Sequence, residues 1–128
     1  MTLIEELVAT STAISLRGVS KAFGHGAGAV LALDNITLDV ARGEFVCLVG
    51  ASGCGKSTSL NLIAGLDRPT VGDVSVNGRT ALMFQEAALF PWLTVRDNVA
   101  LPLRLAGVGK AQRRRRADEL LEQVHLGG

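Results

Sequence analysis

The chain has no tyrosine, one tryptophan and four phenylalanines, a thin aromatic supply that leaves the core to aliphatic side chains. Cysteine is scarce too. Its two copies, Cys47 within an apolar run and Cys54 within a glycine-rich one, do not form a disulfide framework, which points to a reducing compartment. No apolar run approaches the roughly 18 residues that a membrane-spanning helix needs. The start, Met1-Thr-Leu-Ile-Glu-Glu-Leu-Val, carries acidic residues where a secretory signal carries basic ones. There is no excess of either charge. Thirteen Lys and Arg against 12 Asp and Glu, with two His, argue for neither a nucleic acid nor an anionic surface as partner. A cytoplasmic protein is expected.

What is present is a length of 128 residues with 48% apolar content, enough for one buried core. Residues 50–58 read Gly-Ala-Ser-Gly-Cys-Gly-Lys-Ser-Thr, with Gly50, Gly55, Lys56 and Ser57 at the spacing of a phosphate-gripping P-loop. Glycines at positions 50, 53 and 55 let the backbone bring successive N–H groups close to phosphate oxygens. A helix starting at about Lys56 adds the positive end of its dipole. Lys56 supplies a point charge for the outer phosphates and Ser57 a hydroxyl for Mg²⁺. The flanks decide whether such a match is chance. Before it, Glu44-Phe-Val-Cys-Leu-Val-Gly50 reads as a strand covered on both faces. After it, Leu60, Ile63 and Ala64 share a helical face, and Gly65 is a C-terminal stop.

Elsewhere, alternation predicts a strand over residues 14–23 and a loop over 24–28. Two further strands are expected at 30–33 and 36–40, split by a turn at Asp34-Asn35. A strand at 74–76 should end on the hairpin signal Asn77-Gly78, and a short apolar strand should follow at 81–85. A helix capped by Thr94 is expected to break or kink at Pro102, and a last helix to run over 110–124. Val30-Leu-Ala-Leu-Asp34 imitates a metal-coordinating strand, but Asn35 follows it and it precedes the P-loop, so it reads as an early structural strand. Arg113-Arg-Arg-Arg116 reads as a solvated helix face. Arg114 should pair with Asp118 and Arg115 with Glu119, while Ala117, Leu120, Leu121 and Val124 form the apolar stripe. His25 and His125 sit where neither suits catalysis.

With the P-loop, Phe23 and Phe84-Gln85-Glu86 in view, the chain resembles the ATP-binding subunit of ATP-binding-cassette transporters, in the importer group serving nitrate, sulfonate and taurine. Val19-Ser-Lys-Ala-Phe23, Leu33-Asp-Asn-Ile-Thr-Leu38 and Phe84-Gln-Glu-Ala-Ala-Leu-Phe-Pro-Trp-Leu-Thr-Val-Arg-Asp-Asn-Val99 carry the resemblance, which covers the chain from Ile14 onward. It implies an α/β fold of the P-loop NTPase class: an antiparallel β lobe, a P-loop core sheet and the start of a helical lobe. Residues 1–13 would be an N-terminal extension, 14–128 a partial ATP-binding domain, and the helical lobe would begin at about 86.

The resemblance also implies ATP and Mg²⁺ as ligands. Phe23 would stack on adenine. Gly50, Ala51, Ser52, Gly53, Cys54, Gly55, Lys56, Ser57 and Thr58 would hold the phosphates, and Ser57 and Gln85 would join the metal shell. Residues 85–98, with Phe90 and Trp92, would face the membrane permease subunit. A second ATP-binding subunit would pack head-to-tail, and no nucleic acid would be bound. The location implied is the inner face of the cell membrane. The family's Leu-Ser-Gly-Gly signature, its apolar strand ending Asp-Glu and its later His do not occur within residues 1–128. The expectation is therefore ATP binding with negligible hydrolysis by this chain alone, no catalytic residue within it, and an N-terminal fragment of the domain. A small kinase or GTPase is the alternative within P-loop proteins. A non-catalytic protein that docks on transporter subunits is the alternative outside enzymes. The two-residue link Arg79-Thr80 is shorter than the family's and predicts strain or a displaced strand near 78–84.

Overall fold

The computed structural model describes residues 2–4 and 11–127, so the expected extension over 1–13 lies largely outside the described residues. The chain divides into two compact units, residues 1–83 and 84–128. In the first, β1 (Thr12–Phe23), β2 (Val30–Ala41) and β3 (Val71–Val76) form an antiparallel sheet in the order β2-β1-β3, and α1 (Lys56–Ile63) packs on it. A 3₁₀ turn, Gly26–Gly28, joins the first two strands.

The expected turn at Asp34-Asn35 is not there; β2 is one strand. Leu16 faces Leu38, Val19 faces Ile36 and Lys21 faces Leu33. An extra residue near Gly18 on β1 is thus offset by an extra one near Asn35 on β2. Both take left-handed φ, +55° and +49°, as bulge residues do. Side chains fill the interrupted ladder. Gly18 N–H donates to Thr37 Oγ1 at 3.0 Å, and Asn35 N–H donates to Ser20 Oγ at 2.9 Å. Because the bulge shifts the alternation, Leu16 and Val19 both point inward, and they form the core with Leu33 and Leu62.

α1 ends as the sequence predicts. Gly65 takes φ +75°, and Leu66 N–H closes back onto Asn61 O at 2.9 Å. Its inward residue differs from the expected stripe: Leu62 is buried and Leu60 is exposed. Two expected strands are also absent. Residues 44–50 and 81–85 pair with no strand among the described residues, and Phe45 and Val49 are 90% and 94% exposed. An apolar run becomes a strand only when neighbours complete its ladder, and here β1 takes both of its partners from β2 and β3. Gly78, at the start of the short link, lies at φ +132°, a conformation open to glycine.

The second unit contains α2 (Val95–Leu105) and α3 (Lys110–Gln123), which pack together around Ala100, Ala117 and Leu121. Thr94 caps α2 by accepting from Asp97 N–H at 3.1 Å. Pro102 does not end the helix, which continues to Leu105. It sits in the last turn, where one missing N–H leaves little ladder to lose. The charge pairs on α3 differ from the i,i+4 expectation. Asp118 accepts from Arg96 of α2 at 2.6 Å, Arg114 approaches Asp97 at 4.0 Å, and Arg116 pairs with Glu119 at 3.2 Å. Three acids are thus used across the helix pair or at i,i+3, and Asp97 of α2 neutralises part of the basic run. Val124 is exposed rather than part of the stripe.

Candidate functional site

The phosphate-loop candidate forms a tight coil leading into α1. Cys54 N–H bonds to Ala51 O at 3.3 Å and closes the first turn, with Gly53 inside it at φ +79°. Gly55 is the residue before the helix, at φ 94° and ψ 8°, and Ser59 N–H to Gly55 O opens the helical ladder. The N–H groups of Gly55, Lys56, Ser57 and Thr58 therefore have no partner one helical turn earlier, which is the donor cluster that anions use. A Cβ on Gly55 would stand 2.6 Å from Ala32 O and from Leu33 Cδ2, so the loop rests directly on β2. Gly50 is less strictly confined: a Cβ there would come within 2.6 Å of Cys54 Sγ, a side-chain atom that can move.

Lys56 folds back over the loop. Its Nζ donates to Gly50 O at 2.6 Å and Ala51 O at 2.8 Å, and lies 3.4 Å from Cys54 Sγ. The ammonium is thus held over the concave side of the coil by two carbonyls. Ser57 is exposed beside it, and Ser59 Oγ turns away to Gly55 O at 2.9 Å.

Phe23 closes β1 opposite Val30, two residues along β2 from Ala32, against which Gly55 rests. Two residues of strand span about 7 Å, so ring and loop occupy the same end of the sheet. The ring is 45% exposed. Lys21 Nζ lies 5.0 Å from its centroid and is itself held by Asp67 Oδ1 at 2.8 Å and Arg68 O at 2.7 Å. The sequence alone assigned no role to Lys21 or Asp67. The alternation that sets Lys21 beside Phe23 was there to be read; the partner 46 residues away was not. The hydrogen bond from Lys21, assisted by Arg68 N–H, holds the Asp67 carboxyl below its ordinary value.

Gln85 belongs to the second unit and is exposed. In the same unit, the rings of Phe90 and Trp92 pack 5.1 Å apart at 48°. Asn98 pins the segment that carries them. Its Oδ1 accepts from Phe90 N–H at 2.8 Å, and its Nδ2 donates to Phe90 O, Leu93 O and Thr94 O. Among the described residues no cluster of three or more His, Cys, Asp or Glu could hold a metal ion, and no helix is long and apolar enough to cross a membrane.

The sequence profile described as "ABC transporter" matches residues 33–128. The chain belongs to the ABC transporter family. Its fold is that of an ABC ATP-binding cassette in part. The dimeric cassette MJ0796 bound to ADP and Pi is 36% identical with a TM-score of 0.76, over 85% of this chain and 56% of that one. The taurine import ATP-binding protein TauB of Mesorhizobium japonicum is 53% identical over 104 residues, 75% of this chain and 40% of that protein. TauB of Sinorhizobium fredii is 49% identical over 111 residues, 80% of this chain and 42% of that protein. The spermidine/putrescine import ATP-binding protein PotA of Nitrosospira multiformis is 41% identical over 124 residues, 88% of this chain and 33% of that protein. The chain thus spans between a third and about two-fifths of the length of these relatives.

Proposed function

We propose that this chain binds ATP with Mg²⁺, and that it serves as part of the ATPase subunit of an importer for a small sulfonate such as taurine. The observation that carries the binding reading is the ammonium of Lys56, held at 2.6 and 2.8 Å over the loop carbonyls at the start of α1. Residues 50–58 fit a triphosphate. The left-handed Gly55, the unpaired donors of the first helical turn and the Lys56 charge converge on one concave coil. Lys56 would exchange carbonyl partners for phosphate oxygens, and backbone N–H groups would take the others. Ser57, exposed at the second helical position, would give its hydroxyl to the metal. Phe23 would offer its ring to the base. The bound Mg²⁺ would neutralise phosphate charge.

The activity assigned to residues 1–128 is nucleotide binding, which the phosphate-gripping residues 50–58 supply. The sulfonate reading is drawn from the names of the taurine import relatives, and docking on a permease through residues 85–98 from the exposed Phe90–Trp92 pair. Calorimetric titration with MgATP tests the binding. A charge-assisted contact contributes roughly 1.5–3 kcal/mol, so Lys56→Ala should weaken affinity about tenfold to a hundredfold. Unchanged affinity in that variant would refute the site.

A further inference from the structure

Lys21 has the least exposed cation among the described ion pairs: its side chain is 13% exposed, against 43% or more for the arginines of the other pairs. Its Nζ has three neighbours at once. Asp67 Oδ1 and Arg68 O accept from it, and the face of the Phe23 ring lies 5.0 Å away. Alternation along β1 puts residues 21 and 23 on the same face of the strand, so the contact follows from the backbone. Asp67 and Arg68 lie in the turn after α1, the helix that begins at the phosphate loop.

We propose that Lys21 is a positioning residue for the nucleotide base: it fixes the Phe23 ring by a cation–π contact and ties that ring to the far end of the phosphate-loop helix. The inference rests on the reading of Phe23 as the base platform. A phenylalanine at the end of a strand, nearly half exposed, has several rotamers open to it and loses their entropy when a base stacks on it. An ammonium already immobilised by a carboxylate and a carbonyl selects one of them. It occupies one face of the ring and leaves the opposite face for the base. The Asp67 carboxylate is therefore a second positioning group, acting through Lys21.

The test uses the full chain as parent, Lys21→Met, Phe23→Leu and the double variant. Each is titrated with MgATP and with Mg-tripolyphosphate, which has the phosphates and no base. Lys21→Met should weaken ATP about threefold to tenfold, the range of a partly desolvated cation–π contact, and leave tripolyphosphate within about twofold. In the Phe23→Leu background it should cause no further loss for ATP. Equal losses for both ligands, or the same loss with Leu at position 23, would overturn the proposal and reduce Lys21 to a brace for the turn after α1. Unchanged ATP affinity in Phe23→Leu would overturn the platform reading, a failure distinguishable from that of Lys21 alone. Should Lys21→Met fail to fold, Asp67→Asn releases Nζ while keeping its charge, and the same ATP-selective loss is expected. Lys21→Arg should retain ATP affinity, and an ATP loss as large as that of Lys21→Met would contradict the cation–π account.

Discussion

The seating of the phosphate loop on β2 makes Gly55→Ala the most informative substitution in the first unit. Two costs arise there, and they can be separated. Gly55 sits at φ +94°, where an L-residue costs roughly 1–2 kcal/mol. The new Cβ would also stand 2.6 Å from a backbone carbonyl oxygen and from Leu33 Cδ2, an overlap that must be relieved by moving β2 or α1, at about 1–3 kcal/mol. Gly53 is the control. Its φ is +79°, and nothing lies within 4 Å of a Cβ built on it. Gly53→Ala should therefore cost about 1–2 kcal/mol and Gly55→Ala about 2–5 kcal/mol. Native-state hydrogen exchange at the ladder amides of β1 reads the first unit alone. At 1.36 kcal/mol per tenfold, exchange should accelerate about 5- to 30-fold in Gly53→Ala and from about 30-fold to several thousandfold in Gly55→Ala. Gly55→Asn, which tolerates left-handed φ but keeps the overlap, should fall between them. Equal acceleration in both alanine variants would show that the loop is not seated on β2.

Leu62→Ala should destabilise the first unit by about 2–4 kcal/mol in urea unfolding, because Leu62 is buried in the core, whereas exposed Leu60→Ala should cost less than about 1 kcal/mol. Thr94→Ala removes the α2 cap at about 1 kcal/mol, measurable as a lower thermal midpoint of the second unit. Asn98→Ala should free the turn that carries the chain's one tryptophan, lowering Trp92 fluorescence anisotropy; unchanged anisotropy would deny the pin. The Asp67 carboxyl titrates below its ordinary value because Lys21 donates to it, so its stabilisation is present above the unfolded carboxyl value and is lost as pH falls through the lowered one. The stability gap between parent and Asp67→Asn should accordingly persist from pH 7 to pH 5 and close below about pH 4.

Local signals were the legible part of the fold. Alternation located β1, Thr94 marked the start of α2, and Gly65 marked the end of α1, because each rests on the chemistry of a few neighbouring residues. The loop at 50–58 was legible for the same reason. What failed depended on partners distant in sequence. The runs at 44–50 and 81–85 have strand composition, but composition cannot supply the neighbouring ladder. Asp34-Asn35 has turn chemistry, yet a bulge uses the same left-handed φ, and the opposing irregularity at Gly18 decides between them. Leu60 and Leu62 could not be ranked without the face that β1 and β2 present. The pairing of Lys21 with Asp67 spans 46 residues, and no periodicity announces it.

The central claim, that residues 50–58 hold a nucleotide triphosphate with Phe23 beside the base, is tested most directly by an NMR titration of the chain with MgATP. The account predicts saturable shifts concentrated at the amides of Gly53, Gly55, Lys56, Ser57 and Thr58, with the Phe23 ring signals moving in parallel and the midpoint moving to about tenfold to a hundredfold higher MgATP in Lys56→Ala. Saturable shifts centred elsewhere, or none at millimolar MgATP, would contradict it.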